Sequence, residues 1–346
     1  MQSSQSSPSP TKANRKHIWR YVRLAIGLAL IIWLIPTFVK ADFWKALAGV
    51  NVTLVLLALL LAFASTVVKS WRWGVIMHWR GMQFSQFYFM VMYLIGIFFN
   101  NFLPSGLGGD VVRAYETARD SGRSAESFTT VLIERGGGMI VVFGIGGLFA
   151  LVTPLSPDFT PWKLLSIGLF LGGLIGLWAL WLDVTGRILA ALGARLPRRL
   201  SGIWLKVMRI YEEFRLYRHE WRLFGSIIAL SIVSTVLGLV SVYMLLLAYG
   251  QAVSFGGFAA FFSIESAIEV LPISLNSLGV REGAYVFFLK PLGVDAPIAL
   301  GVSLLVRLII LLHAVVGGIA YVLRNVRERP ETAHTTPGTA EELPRP

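Results

Sequence analysis

Long apolar stretches alternate with shorter polar or basic stretches along most of the chain. Six of the apolar stretches approach or exceed the roughly 20 residues that a helix needs to cross a bilayer, so each predicts one spanning helix. They run over residues 21–39, 52–68, 128–152, 162–182, 223–249 and 297–323. The first follows basic residues, as a signal peptide would. We interpret it as an uncleaved anchor, because the run is long and no small-residue cleavage site follows.

Two further apolar regions are interrupted by helix-breaking residues. The first interruption runs from Leu103 to Asp110 and the second from Leu271 to Gly279. Each opens with Leu-Pro, and each is followed by an arginine ten positions after its leucine. Irregular backbone inside a membrane is tolerated only where protein or a polar cavity shields it. Two such breaks at corresponding places in two halves indicate a binding site at a repeat interface.

Basic residues flank the apolar stretches unequally, which predicts the orientation in the membrane. With both termini in the cytoplasm, 23 lysines and arginines lie inside and four outside. Residues 69–80 and 113–123 are then both cytoplasmic, so the segment between them must return to its starting side. By the same reasoning, residues 255–289 begin and end outside. The prediction is an all-α polytopic membrane protein with six full spans and two re-entrant helical hairpins.

The order span, hairpin, span occurs twice with opposite orientation, over residues 52–152 and 223–323, which is an inverted repeat. The alternative is eight ordinary spans with loops at the two breaks. Residues 18–325 would form a single membrane domain between tails 1–17 and 326–346, whose polar composition predicts disorder. Residues 186–222 are basic and amphipathic, which is typical of a helix on an anionic membrane surface. A helix packed beneath the bundle is the alternative.

Composition supports a membrane protein and narrows the chemistry. Hydrophobic residues make up 55% of the chain and charged residues 14%, against about 25% charged residues in soluble domains. The net charge is +12. Because the basic residues flank the apolar spans, they are better explained by the orientation of the protein in the membrane than by nucleic-acid binding. The chain has no cysteine, and its five histidines show no metal-ligand spacing. We expect no metal, no cofactor and no catalytic residue.

The first break carries features suited to an anion. Its glycines let a ligand approach the backbone closely, and a helix beginning near Asp110 would present free amide groups to a lipid phosphate. Alternatively, Asp110 only caps that helix. Glu134 and Arg135 follow inside an apolar span and point about 100° apart, so each needs a partner elsewhere. We expect Arg113 to pair with Glu134 and Asp110 with Arg135; the alternative is a structural ion pair near the cytoplasmic interface.

The second break has its own charges. Glu265 and Glu269 lie four residues apart on one helical face and would repel unless a cation or proton lies between them. Arg281 is one candidate cation, and a cationic lipid headgroup is another; hydration near the outer surface is the alternative. The candidate substrate-binding residues of both breaks are Asn100, Asn101, Pro104, Ser105, Gly108, Gly109, Asp110, Arg113, Glu134, Arg135, Glu265, Glu269, Asn276, Arg281 and Glu282.

The residues from Asn100 to Arg113 with Glu134-Arg135, and those from Leu271 to Glu282, resemble the membrane region of lysylphosphatidylglycerol synthases, a flippase-like family. The resemblance covers nearly all of residues 18–325. It implies movement of a lipid between leaflets, whereas a separate soluble domain adds the lysyl group in the synthases. No such domain follows the last predicted span, so we expect lipid handling without synthase activity.

The expected function is therefore translocation of a phospholipid, polyprenyl-lipid or glycolipid headgroup across the bacterial inner membrane. The substrate would be a membrane lipid, an enzyme of lipid synthesis is a candidate partner, and no nucleic-acid partner is expected. One alternative is a membrane-embedded transferase in lipid-linked glycan synthesis, which would change the mass of its lipid. Another is a scaffold for such an enzyme, which would tolerate changes at the intramembrane charges.

Overall fold

The computed structural model describes residues 49–101, 108–153, 160–195, 197–270 and 279–327, and these form eleven α-helices without a β-strand. The helices are α1 Val52–Trp79, α2 Gln86–Asn100, α3 Gly108–Ser121, α4 Ser124–Val152, α5 Thr160–Trp181, α6 Asp183–Ala194, α7 Arg198–Arg215, α8 Trp221–Ala248, α9 Phe255–Val270, α10 Val280–Leu289 and α11 Ala296–Arg327. Short 3₁₀ turns at Leu216–His219 and Lys290–Leu292 precede α8 and α11.

Five of these helices, α1, α4, α5, α8 and α11, are long and apolar enough to cross a membrane. They correspond to five of the six predicted spans. The sixth, residues 21–39, lies outside the described residues, as do the predicted tail 1–17 and residues 328–346. The part of the chain that is described is therefore an all-helical, polytopic membrane protein.

The helices begin where polar side chains satisfy the first backbone amides. The side-chain oxygen of Asn51 accepts hydrogen bonds from the amides of Thr53 and Leu54, at 3.1 and 3.3 Å, and starts α1. Ser85 accepts from the amide of Tyr88 at 3.2 Å and starts α2. Such caps satisfy amides that have no partner within the helix. Between α3 and α4, Gly122 adopts φ +71°, a conformation that lets the chain reverse in a two-residue turn.

Helix α1 continues well beyond the predicted end of its apolar stretch at residue 68. It runs to Trp79, so Lys69 and Arg72 lie inside the bundle and not in a cytoplasmic loop as predicted. Arg113 was also counted as a loop residue, and it is buried within α3. Arg72 and Arg113 are neutralised by carboxylates on neighbouring helices. Even without Lys69, Arg72 and Arg113, far more lysines and arginines lie on the predicted cytoplasmic side than on the outer side.

The described helices fall into two similar units, α1–α4 and α8–α11, that pack through α1 and α8. Ser65 donates a hydrogen bond to the carbonyl of Ser234 at 2.8 Å, and Ser241 donates to the carbonyl of Ala58 at 2.7 Å. From one contact to the other, the residue number increases along α1 and decreases along α8, so these two helices are antiparallel. Ser65 and Ser234 each lie 13 residues after the start of their helix, which places the crossing at equivalent depths.

Corresponding helices of the two units make corresponding contacts. Helix α2 packs on α11, and its counterpart α9 packs on α4. In both pairs a glycine permits the close approach. A Cβ at Gly317 would overlap the carbonyl of Leu94, and one at Gly146 would overlap the side chain of Ser263. Leu94 and Ser263 each lie eight residues after the start of their helix, so the two contacts occupy equivalent positions in the two units.

The short helices of each unit form a pair that begins and ends at one end of the bundle. For α2 and α3, the Arg123 guanidinium donates to the carbonyl of Arg80 at 2.8 Å, which joins the entry of the pair to its exit. We call this the basic end, because Arg119 and Arg324 also lie there. The α9–α10 pair begins at the opposite end, where Phe255 packs against Phe149 near the end of α4, and ends there too, since Phe288 packs against Trp162 near the start of α5.

The basic segment predicted over residues 186–222 forms parts of α6 and α7 and the start of α8. One side of α7 packs against the bundle: Tyr211 is buried, and Arg80 at the end of α1 pairs with Glu213. Nearer the start of α7, Ile203 and Leu205 are both 62% exposed. The later half of α7 therefore packs against the bundle, and exposed apolar side chains nearer its start remain for contact with a membrane surface.

Candidate functional site

A cavity of about 360 Å³ lies between the two units. This volume is within the range of roughly 300–1,000 Å³ that small-ligand sites occupy. The wall is formed by α1, α2, α4, α8, α9, α10 and α11, so both units contribute to it. Its polar and charged side chains are set among apolar ones, and four of the seven wall helices, α1, α4, α8 and α11, are long enough to cross a bilayer. Those polar residues are Ser65, Thr66, Lys69, Arg72, Tyr93, Asn100, Asn101, Arg135, Ser234, Thr235, Ser241, Glu265, Ser266, Glu269, Arg281, Tyr285 and His313.

Behind the wall of the first unit lies a fully buried ion cluster centred on Glu134. The Arg72 side chain donates two hydrogen bonds to Glu134 Oε1, one of them from Nε at 3.1 Å. Arg113 Nη2 donates to Glu134 Oε2 at 2.6 Å, and Arg113 Nε donates to Asp110 at 2.9 Å. Arg72 also donates to the hydroxyl of Ser231 on α8 at 2.7 Å. The cluster thus joins α1, α3, α4 and α8.

Aromatic rings hold the central guanidinium of this cluster in place. The Arg113 guanidinium carbon lies 4.7 Å from the ring centre of Trp73 and 4.6 Å from that of Tyr93. Cation–π contacts at this distance are favourable, and more so without water. Arg113 is 1% exposed, so its role in this structure is to connect helices.

The predicted partners within the first unit are confirmed. Arg113 pairs with Glu134, and Arg135 Nε donates to Asp110 Oδ2 at 2.5 Å. Adjacent residues on α4 thus reach different partners on α3, as their 100° separation requires. The side chain of Asp110 is therefore occupied by arginines, and Asn100 accepts the hydrogen bond from the Gly109 amide at 2.6 Å. A Cβ at Gly109 would overlap the carbonyl of Gly96, so this glycine permits α2 and α3 to touch.

The second unit carries an acidic pair bridged by one arginine. Arg281 on α10 donates to Glu269 and lies 3.4 Å from Glu265. Of the candidate cations, Arg281 is therefore the one that the structure places beside both carboxylates. Since both carboxylates share one arginine, this wall of the cavity carries a surplus of negative charge. The first unit carries a surplus of positive charge, because Lys69 and three arginines face only Asp110 and Glu134.

Glu282 belongs to a different ion pair, with Arg307. Two nitrogens of Arg307 donate to Glu282 Oε1, at 3.0 and 2.5 Å. This pair is the counterpart of Asp110–Arg135: in both, the acid lies two residues and the arginine eleven residues after the start of its helix. The repeat therefore extends from helix order to individual ion pairs.

The structure brings only part of the predicted set to the cavity. The predicted residues that line it are Asn100, Asn101, Arg135, Glu265, Glu269 and Arg281. Those placed elsewhere are Gly108, Gly109, Asp110, Arg113, Glu134 and Glu282; the four charged ones among them are held in ion pairs. Pro104, Ser105 and Asn276 lie outside the described residues. Asp110, Arg113 and Glu134 are not among the residues that line the cavity, and their charges pair with one another beside it.

Three of the five basic cavity residues were missed by sequence reasoning: Lys69, Arg72 and His313. The signal for the first two was present, because basic residues three apart continue the helical periodicity of the preceding apolar stretch. His313 lies in the middle of an apolar span, where a histidine is itself unusual. Within the described ranges, no group of three or more His, Asp or Glu side chains is placed to hold a metal ion.

Comparison with known proteins agrees with this architecture. Residues 20–318 match the family model described as the lysylphosphatidylglycerol synthase TM region. The chain belongs to this family. A UPF0104 membrane protein of Methanothermobacter thermautotrophicus (strain Delta H) is 24% identical over 304 residues, which cover 83% of this chain and 90% of that relative. The family match includes all helices that line the cavity, so the cavity belongs to the family region.

Proposed function

We propose that this member of the lysylphosphatidylglycerol synthase TM region family is a lipid translocase that carries a headgroup across the bacterial inner membrane. The observation that supports it most is the charged cavity between two antiparallel units of an apolar bundle. A headgroup would enter the cavity while its acyl chains stay in the bilayer. The substrate class is phospholipid, polyprenyl lipid or glycolipid, and the proposal includes no chemical step on the lipid.

We further propose that the α2–α3 and α9–α10 pairs are re-entrant hairpins that enter the membrane from opposite faces. Each pair begins and ends at one end of the bundle, and the two ends are opposite. The basic end would face the cytoplasm, because basic residues concentrate on that side of membrane proteins. Inverted repeats of this kind place substrate sites at the repeat interface and support alternating access from the two sides.

Lipid translocation can be measured in proteoliposomes that contain an acyl-labelled fluorescent lipid. Dithionite destroys the label in the outer leaflet only, so protein-free vesicles keep about half of the fluorescence. A translocase brings inner-leaflet label outward and lowers this protected fraction. The test uses labelled phosphatidylglycerol and a labelled polyprenyl phosphate, and mass spectrometry of the recovered lipid shows whether it was modified.

A matched pair of serine variants links transport to the cavity. Ser266 lines the cavity, and its hydroxyl bonds only to the carbonyl four residues before it on α9. Ser226 makes the same type of bond on an exposed side of α8. We expect Ser266→Phe to fill the cavity and abolish translocation, and Ser226→Phe to leave it intact. No translocation of either lipid by the wild type, or equal rates in both variants, would contradict the proposal.

A further inference from the structure

One cation in the cavity wall makes no hydrogen bond or ion pair with the described residues, although Glu134 and Glu269 lie close enough to act on its charge. Lys69 lines the cavity, and its ammonium group makes no hydrogen bond or ion pair within the described ranges. The other cations inside the bundle are paired: Arg72 with Glu134, Arg135 with Asp110, and Arg281 with Glu269. A buried charge without a partner is costly, so such charges mark functional sites in membranes.

The position of Lys69 along α1 keeps its charge inside the membrane. Ten residues separate it from the helix end at Trp79, which corresponds to about 15 Å at 1.5 Å per residue. Lysines near helix ends extend their stems to reach water, but this one is too deep to reach the end of the bundle. Its ammonium group therefore remains with the cavity.

A count of the charges around the cavity also leaves a surplus of positive charge. In the part of the chain that is described, five cations meet four carboxylates in the two linked clusters, which leaves one positive charge. Of these five cations, Lys69 is the one that forms no ion pair with a described residue. The break segments 102–107 and 271–278 contain no charged residue that could balance it. A ligand with one negative charge would balance this positive charge.

Of four further side-chain atoms at the cavity that are buried without a hydrogen bond, Arg281 Nε and Glu265 Oε1 face each other at 3.4 Å, and two have no partner. His313 is 6% exposed; its Nδ1 lies 2.7 Å from the carbonyl of Ile309 and must carry the proton. Its Nε2 is then an acceptor, and it is buried without a hydrogen-bond partner. Arg281 Nη1 is buried without a hydrogen-bond partner too. The cavity thus offers an ammonium group, a guanidinium N–H and one acceptor, which match a phosphate with several oxygens beside a hydroxyl group.

We propose that Lys69 binds the anionic phosphate of the lipid headgroup, which makes phosphate-bearing anionic lipids the substrate class. This inference rests on the proposed function. Arg281 Nη1 donates to a second phosphate oxygen, and His313 Nε2 accepts a hydrogen bond from a hydroxyl group of the phosphate or headgroup. Free inorganic phosphate shares this chemistry but lacks the acyl chains, so the experiment compares the two.

The test is equilibrium binding to the purified full chain in detergent. The probes are dioctanoyl phosphatidic acid, dioctanoylglycerol, which lacks only the phosphate, and inorganic phosphate. The variants are Lys69→Met, Lys69→Arg and the control Lys290→Met, which removes a lysine from an exposed position at the end of the bundle opposite the basic end. Transport of the labelled lipids is measured in parallel, so that binding and translocation are judged separately.

We expect the wild type to bind phosphatidic acid at least tenfold more tightly than dioctanoylglycerol. Lys69→Met should weaken phosphatidic acid binding roughly ten- to a hundred-fold, the effect of one charge-assisted hydrogen bond, and leave dioctanoylglycerol binding unchanged. Lys69→Arg should restore most of the affinity, and Lys290→Met should behave as wild type. Lys69→Met should also unfold at the same temperature as the wild type or higher, because it removes an uncompensated charge.

Phosphatidic acid binding that Lys69→Met does not change would overturn the assignment. A loss of folding in Lys69→Met would overturn it too, because it would reveal a structural partner for the lysine. Inorganic phosphate binding as tightly as phosphatidic acid would overturn the choice of a lipid ligand. Selective, Lys69-dependent lipid binding without leaflet exchange would support the assignment and remove the proposed translocase function.

Discussion

Replacing Glu134 by glutamine tests the ion cluster behind the cavity wall. Glutamine keeps the size of the side chain and one acceptor oxygen but removes the charge. Glu134 is fully buried and receives hydrogen bonds from both Arg72 and Arg113. After the substitution, Asp110 is the one carboxylate left in the cluster for three arginines. The perturbation therefore leaves buried positive charge that no other group in the cluster neutralises.

The structure predicts a large loss of stability. Breaking a buried ion pair by removing one partner costs about 3–5 kcal/mol, because the other charge stays buried. Losing a neutral hydrogen bond between membrane helices costs about 0.6 kcal/mol on average and about 1.7 kcal/mol at most. The two ranges do not overlap, so the measurement separates an electrostatic role of Glu134 from simple hydrogen bonding. The total stability of a protein is typically about 5–15 kcal/mol, so this loss is a sizeable share of it.

The assay is unfolding in mixed micelles of dodecyl maltoside and sodium dodecyl sulfate, followed by tryptophan fluorescence. Glu213→Gln is the matched control, because Glu213 pairs with Arg80 at the partly exposed basic end, where such a pair contributes about 0–1 kcal/mol. Arg72→Met added to Glu134→Gln should recover about 1 kcal/mol or more relative to the sum of the single changes. A loss below about 1 kcal/mol for Glu134→Gln, equal to the control, would refute the reasoning.

Two further predictions concern the second charge cluster and the packing of α2 on α3. Glu265→Gln and Glu269→Gln should each cost only about 0.6 kcal/mol, the average for a lost hydrogen bond between membrane helices, because one carboxylate remains for Arg281. The double variant should cost about 3–5 kcal/mol, and additive losses in the same unfolding assay would contradict the shared bridge. Gly109→Ala should destabilise the protein by about 1–3 kcal/mol, because the added methyl group overlaps the neighbouring backbone. Gly136→Ala is the control: its position is exposed, helical and open, so the change should stabilise the protein by about 0.5–1 kcal/mol. Equal effects of the two changes would disprove the close contact between α2 and α3.

Sequence reasoning reached the parts of this architecture that depend on local pattern. Apolar length located five described spans, and the helix breaks located the two pairs of short helices. The partners Arg113–Glu134 and Arg135–Asp110 could also be inferred, because an intramembrane charge requires a partner and few charges were available. On the positive side of the cavity Arg135 was recognised, but Lys69 and Arg72 were missed, since hydropathy placed the end of the second span before them.

The remainder depends on contacts between distant parts of the chain. Helix α1 passes through Lys69 and Arg72 because Arg72 finds Glu134 on α4 and Ser231 on α8, which no local pattern reveals. Likewise, the direction in which Glu134 and Arg135 point depends on where α3 packs. Hydropathy shows that both charges are inside the bundle, but only the packing shows that Arg135 lines the cavity and Glu134 lies behind it.

The central claim is that the cavity between the two units is a wet site that receives a lipid headgroup. The chain has no native cysteine, so single cysteines report accessibility without background. In proteoliposomes, Ser266→Cys should react rapidly with an anionic, membrane-impermeant thiosulfonate, and phosphatidic acid should slow the reaction. Leu60→Cys, at a 63% exposed apolar position on α1, should face lipid and react slowly. Equal slow labelling at both positions, or a reaction at Ser266→Cys that added lipid does not change, would contradict the account.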